Sequence, residues 1–182
     1  MNKLPEKFEF HKYGLDVRFV NESDAEFILT LRTSKRGQIL NKTENSLDKQ
    51  VQWISEYKQR EAKGEDYYFI YYKGGEPLGV NRLYNVRRED NSCTTGSWVI
   101  KEGTTFETSM KTMLILREIV FEILQFDISW GDTRKSNKQM QRLYNMLGIE
   151  QIGETEDEFL YKSIRENYEY GNNKIKKLIG IE

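Results

Sequence analysis

Apolar and polar positions follow two distinct periods along this chain. Leu15, Val17 and Phe19 alternate with Asp16 and Arg18, the two-residue period of a strand with one wet face, and Tyr13-Gly14 reads as the turn that feeds it. In Ser23-Asp24-Ala25-Glu26 a serine stands three residues before a glutamate. That is the pattern of a capping box, so Ser23 is expected to cap a helix that carries Phe27, Ile28 and Leu31 inward and ends near Arg32. After a polar connection from Thr33 to Asn45, Ser46 is placed to cap a second amphipathic helix. Leu47, Val51, Ile54 and Tyr57 share a face of it, and Gly64 lies just past its end, where a left-handed residue is needed.

Tyr67 to Tyr72 reads as an aromatic strand, Lys73-Gly74-Gly75-Glu76 as a hairpin turn, and Pro77 to Val86 as the returning strand. A turn over Arg88-Glu89-Asp90-Asn91 leads into a strand ending Gly96-Ser97-Trp98-Val99-Ile100. Glu102 to Phe106 is a polar loop, and a strongly apolar helix follows from about Thr108 to Leu124. Phe126 to Trp130 is a short strand. Asn137 to Leu147 is a helix with Met140, Leu143, Tyr144 and Leu147 on one face and Gly148 as its stop. A strand near Glu158 to Ile164 precedes a polar helix running from Arg165 toward Leu178. This order predicts an α/β fold of the mixed-sheet, α+β kind, without the regular alternation of a doubly wound nucleotide fold. There is no internal repeat and no linker, so one domain is expected over residues 1–182, with its core at about 13–165 and a helical tail at 166–182.

Composition narrows the chemistry. With 37% hydrophobic and 13% aromatic residues in 182, the chain can build its own core. A formal net charge of −1 provides no global field for phosphate backbones or anionic lipid, so neither nucleic acid nor membrane is an expected partner. The short basic clusters at Arg87-Arg88 and Lys174 to Lys177 read as solvated surface. The single cysteine, Cys93, excludes an internal disulfide and a multi-cysteine zinc site, and no metal is expected. Cys93 reads as a packed thiol rather than the partner of the lone His11. No apolar run approaches the roughly 20 residues of a membrane span, and the first residues lack a secretion signal, so a cytoplasmic location is expected.

Three stretches carry a resemblance. The first is Asn137-Lys138-Gln139-Met140-Gln141-Arg142-Leu143-Tyr144-Asn145-Met146-Leu147-Gly148-Ile149, with an Asn, a Tyr seven residues on, and a Leu-Gly end. The second is Gly96-Ser97-Trp98-Val99-Ile100, and the third runs from Leu15 to Glu26, followed by Leu31-Arg32 and Gln52-Trp53-Ile54. In this order they resemble the GNAT superfamily of N-acetyltransferases, in the branch that acts on ribosomal N-termini and nucleotide-sugar amines. Ile149 stands where the family usually has Phe.

The resemblance implies an acyl-CoA N-acyltransferase fold whose central sheet is splayed, with acetyl-CoA as acyl donor. Backbone groups of Trp98, Val99 and Ile100 would pair with the pantetheine arm, Asn137 would bond the pantetheine or phosphate side, and Tyr144 would donate a proton to the leaving sulfur. The family's Gly-rich pyrophosphate loop is replaced by Lys101 to Met110, which holds one glycine and no arginine. There Thr105, Thr108 and Ser109 would add hydroxyl donors, while Glu107 places a negative charge near the expected phosphates. Asp132 and Glu107 are candidates for the base that deprotonates the amine, and Arg32, Trp53, Arg82 and Tyr84 for acceptor binding. The acceptor is expected to be a small-molecule amine such as an amino sugar on a nucleotide. A peptide N-terminus, as in the ribosomal-protein branch, and a non-catalytic acyl-CoA-binding domain are the alternatives, and a homodimer is compatible with each.

Overall fold

The computed structural model describes residues 2–39 and 44–181. In chain order the elements are β1 (Glu9–Lys12), β2 (Leu15–Phe19), α1 (Ala25–Thr33), α2 (Leu47–Lys63), β3 (Tyr67–Lys73), β4 (Glu76–Arg87) and β5 (Ser92–Ile100). They continue with α3 (Phe106–Glu118, prolonged by a π-helical turn Ile119–Ile123), β6 (Ile128–Arg134), α4 (Lys138–Met146), β7 (Glu150–Glu154), β8 (Glu158–Ile164) and α5 (Tyr168–Leu178).

The aromatic run of β3 has no polar alternation because both of its faces are covered. Tyr67, Phe69 and Tyr71 pack with Val17, Phe19, Leu83 and the α3 residues Ile115 and Leu116. Tyr68 and Ile70 pack with Ile28 and Leu31 of α1, Ile54 and Tyr57 of α2, Val80 and Val99. Each such side chain contributes about 1.5–3 kcal/mol on leaving water. The result is an eight-stranded sheet in the order β1-β2-β3-β4-β5-β6-β8-β7, with α1 and α2 on one face and α3 on the other. Every neighbouring pair is antiparallel except β5 and β6, which α3 connects as a crossover.

Several local readings hold. Tyr13 (φ 56) and Gly14 (φ 71), and Gly74 (φ 58) and Gly75 (φ 84), make hairpin turns with two left-handed positions. The Ser46 side chain accepts the Lys49 N–H to cap α2, and Gly64 (φ 75) ends it. Others are corrected. Ser23 does not cap α1: Asn21 accepts the Ser23 N–H while Asp24 reaches back to the Asn21 N–H, so the capping box starts two residues earlier on a short 3-10 turn. Leu47, expected on the inner face of α2, is exposed. The helix expected from Thr108 starts at Phe106, capped by Thr105.

The strands at Glu9–Lys12 and Glu150–Glu154 were not expected from the sequence. Both are edge strands of largely polar residues, so they lack the apolar alternation that marks a strand. The strand expected at Phe126 to Trp130 runs instead from Ile128 to Arg134, so Asp132 lies on the strand and not after it. Of the connection from Thr33 to Asn45, residues 40–43 lie outside the described residues.

Candidate active site

β5 and β6 begin as a parallel pair and then part. Ser92, Cys93 and Thr94 pair with Ile128, Ser129 and Trp130, and no later residue of β5 pairs with β6. β6 stays paired to β8 as far as Arg134, and β5 to β4 as far as Ile100, so the opening lies between the two strands alone.

The cause is on β5. Between the pairs Arg82–Gly96 and Val80–Val99, β4 advances two residues and β5 three. The extra residue is a bulge, with Ser97 in the left-handed region at φ 53. A bulge bends its strand and switches which face the next side chains use. A Cβ on Gly96 would point at Tyr84 on the α1–α2 face, whereas Trp98 points at α3, its Nε1 donating to Thr112 Oγ1 at 2.9 Å.

Two phenols flank the crotch of this opening. Tyr144, carried by α4 and buried, has its hydroxyl 3.1 Å from where a Cβ on Gly131 would stand. Tyr84 lies at the same 3.1 Å from a Cβ position on Gly96. The two glycines leave room for the two hydroxyls. The Tyr144 ring packs on Tyr161 with centroids 4.4 Å apart, so its direction is set from behind. On the α3 side a cavity of about 50 Å³ is lined by Thr95, Gly96, Gly131, Tyr144, Arg117 and Ser163, among others.

Burial raises the Tyr144 phenol above its ordinary range, and the charge of Asp132 raises it further. Tyr84 is raised by the same two causes in the same order. Asp132 therefore acts on both phenols, and strand alternation puts its side chain opposite that of Gly131. Its own carboxyl is raised by loss of solvent, opposed by the Arg134 guanidinium. A phenol held protonated within electrostatic reach of a carboxyl made more basic than usual can serve as an acid and a base.

The four residues expected to bind the acceptor lie on the α1–α2 face. Arg82 stacks over Trp53 at 5.0 Å and over Tyr84 at 4.8 Å, and the charges of Arg32 and Arg82 both reach Tyr68. Asp66, which the sequence reading passed over, is buried and accepts from Arg82 Nε at 2.7 Å and Arg60 Nε at 3.0 Å. Arg82 is thus neutralised where it stands.

The phosphate-side expectations need correction. The hydroxyls of Thr105 and Ser109 already donate within the turn, and that of Thr108 is buried. Thr105 Oγ1 accepts the Thr108 N–H at 3.2 Å, Thr108 is buried with its hydroxyl on Thr105, and Ser109 Oγ donates to the Thr105 carbonyl at 2.9 Å. The earlier helix start is the reason, because it makes Thr105 the cap and turns Thr108 inward. What α3 offers an anion is the amide groups of its first turn.

Glu107 is exposed and ion-paired with Lys111 at 2.5 Å, which lowers its pKa, making it a weaker base, and offsets its charge. It lies apart from the Tyr144–Asp132 group and does not line the cavity. Asn137 caps α4, its Oδ1 accepting the Met140 N–H at 3.1 Å, which leaves its amide nitrogen for a ligand. Of the three backbone positions on β5, the Ile100 carbonyl accepts from Arg36 at 3.4 Å. Cys93 is buried and pushed up to about 12 by loss of solvent, while His11 pairs with Asp16 at an exposed edge.

Comparison with solved structures identifies the fold. The chain superposes on FdhC, a nucleotide-linked sugar GNAT in its apo form, with a TM-score of 0.82 and 28% identity over 97% of this chain and 99% of that one. The chain has the GNAT acetyltransferase fold, and the structures it resembles support an N-acetyltransferase.

A ribosomal-protein alanine acetyltransferase from Vibrio fischeri (14% identical, TM-score 0.73, covering 88% of this chain and 98% of that one) shares the GNAT fold. So does a spermidine N-acetyltransferase variant from Vibrio cholerae (15% identical, TM-score 0.70, covering 86% and 97%). At those identities the likeness is one of fold alone. No family model matches the chain. A stretch of 98 residues is 36% identical to the large ribosomal subunit protein uL3 of Chlorobium limicola, covering 54% of this chain. The chain spans only 43% of that curated relative. Among the described residues, no helix of this chain is long and apolar enough to cross a membrane.

Proposed function

We propose that this GNAT protein transfers the acetyl group of acetyl-CoA to a primary amine on a small, nucleotide-linked sugar. The observation that carries the reading is the opening between β5 and β6 with the Tyr144 hydroxyl at its crotch. Acetyl-CoA supplies the acetyl group as a thioester. The residues present fit such a donor: an unpaired β5 edge, small residues at Thr95, Gly96 and Gly131, and free first-turn amides on α3.

In this reading the edge of β5 that faces the opening at Trp98 and Val99, unpaired on the β6 side, holds the pantetheine arm, and the amide nitrogen of Asn137 binds beside it. Asp132 takes a proton from the ammonium form of the acceptor, for which its raised pKa, and so its greater basicity, is suited. The freed nitrogen attacks the thioester carbon, the carbon–sulfur bond breaks as Tyr144 Oη gives its proton to the leaving sulfur, and the proton the nitrogen sheds on becoming an amide restores the phenol. Asp132 is preferred to Glu107 as the base because it shares its electrostatic surroundings with Tyr144 and Glu107 does not. The likeness to the nucleotide-linked sugar GNAT, together with Arg32, Trp53, Arg82 and Tyr84 on the acceptor side, supports an amino sugar over a peptide terminus.

Thermal shift with acetyl-CoA and with CoA is the first test. Ligand at a hundredfold over its dissociation constant stabilises by about 2.7 kcal/mol, a clear upward shift in Tm. Thiol release is then followed on nucleotide-linked amino sugars, spermidine and an alanyl peptide. Turnover of the peptide alone overturns the acceptor assignment, and no shift with either ligand overturns the donor.

A further inference from the structure

The cavity beside Tyr144 contains a buried cation with no counter-charge. Arg117 on α3 is 6% exposed. Its Nε donates to Asn172 Oδ1 at 2.7 Å, Nη1 to Ser163 Oγ at 3.1 Å and Nη2 to the Tyr168 carbonyl at 3.5 Å. All three acceptors are neutral. The adjacent acid, Glu118, turns away to Tyr13, Lys12 and Lys176. A guanidinium taken out of water is costly unless something compensates it, and removing solvent pulls Arg117 down to about 10, still charged at neutral pH.

The surroundings suggest what compensates. Arg117 lines the same small cavity as Thr95, Gly131 and Tyr144, and it rests against the rings of Phe121 and Tyr168. From Ser163, which it holds, the adjacent strand presents Ser129 opposite, and Ser129 Oγ lies 3.1 Å from Thr95 Oγ1 at the point where the strands part. A polar line therefore runs from the guanidinium to the crotch.

We infer that Arg117 is a positioning charge for the anion that acetyl transfer generates in this cavity, the thiolate of CoA. The inference rests on the acetyl-transfer reading above. As the carbon–nitrogen bond forms, the carbon–sulfur bond breaks and its electron pair stays on sulfur. When the Tyr144 proton moves to sulfur the negative charge passes to the phenol oxygen. Either way one negative charge occupies a poorly solvated space, where a fixed cation is worth far more than in water. Of the titratable groups, Tyr144 on α4 and Tyr161 on β8 line this space with Arg117, while Tyr168 at the start of α5 acts on Arg117, and Asp132 and Tyr84 act on Tyr144. Asp132 opposes an anion there, and Arg117 is the positive charge that acts on Tyr144 among the described residues.

The test reads protons and needs no turnover. CoA and desulfo-CoA are titrated calorimetrically into the full chain near pH 7.5, in buffers of different ionisation enthalpy. With Arg117 in this role the wild type releases protons on binding CoA and none on binding desulfo-CoA. Arg117→Met abolishes the release, and the preference for CoA over desulfo-CoA falls about tenfold for each unit of lost thiol pKa shift. Arg117→Lys keeps the release. Arg117→Gln retains donors to Asn172 and Ser163 without the charge, and serves where the methionine variant does not fold.

Wild-type binding of CoA without proton release overturns the inference, as does unchanged release in Arg117→Gln. Wild-type chain that binds neither ligand overturns the acetyl-transfer reading itself, so the two failures are told apart.

Discussion

The Tyr144 hydroxyl sits over Gly131, 3.1 Å from the point a Cβ there would occupy. The two residues belong to different elements, and the absence of a side chain at one leaves the room that the hydroxyl of the other takes. The ring behind the hydroxyl is buried and packed on Tyr161, so it has little freedom to retreat. Gly131→Ala is therefore expected to shift the phenol by a few tenths of an ångström or more while leaving the fold intact. Misplacement on the scale of 1 Å can cost about a hundredfold in rate. A loss of turnover of at least about tenfold, with Tm within a few degrees of the parent, is the expected result of steady-state kinetics and a thermal scan. Unchanged turnover would show that the hydroxyl's position is not used.

Removing the hydroxyl itself separates acid catalysis from binding. Tyr144→Phe keeps the ring on Tyr161 and deletes only the proton donor. General-acid contributions are about 10²–10⁴-fold, so kcat should fall by about a hundredfold with KM for acetyl-CoA changed by less than about threefold. A variant that raises KM at constant kcat would mean that Tyr144 only holds the ligand.

Asp132 gives a prediction in which function and stability have opposite signs. Its folded-state pKa lies above the unfolded value because solvent is lost around it. The neutral form is thus favoured by folding, and the charged form weakens the fold once pH rises above the unfolded pKa. Asp132→Asn should leave Tm at neutral pH equal to or above the parent's. As a base Asp132 must be ionised, so kcat/KM of the parent rises with pH through its raised pKa, and the variant loses both that limb and most of its rate. A Tm that drops at pH 7 together with an unaltered acid limb would remove Asp132 from the mechanism.

Much of this geometry was readable from residues, and the parts that were not have a common cause. The helix that carries Tyr144 was legible because Met140, Leu143 and Leu147 keep its period and Gly148 (φ 68) ends it. The meander from Tyr67 was legible because two-sided burial leaves an unbroken aromatic run. The second half of β6 was not. Gly131-Asp132-Thr133-Arg134 is polar because one edge of it borders the opening, so the sequence resembled a loop where the site is built. The bulge at Ser97 left no signal, since serine is an uncommon choice for a left-handed position. Arg117 was hidden within an apolar helix, and Asp66 beside an aromatic strand gave no hint that two arginines converge on it.

Asp66 supports the most direct stability prediction. Its side chain is 2% exposed, receives Arg82 through two nitrogens and Arg60 through a third, and so holds Arg82 flat between Trp53 and Tyr84. Deleting one member of a buried ion pair leaves the other without a partner, at a cost of about 3–5 kcal/mol. Arg82 is only half-buried and can turn partly to solvent, so the low end applies to Asp66→Ala. For a chain of this length about 3 kcal/mol corresponds to a fall in Tm of roughly 6–12 °C. The double variant Asp66→Ala, Arg82→Met should recover much of it, because no uncompensated charge remains. If Arg82 serves the acceptor only by stacking on its two rings, the double variant also keeps KM for acetyl-CoA while raising KM for the amine. Equal Tm for the single and double variants would mean that Asp66 stabilises the sheet through its burial and not through its charge.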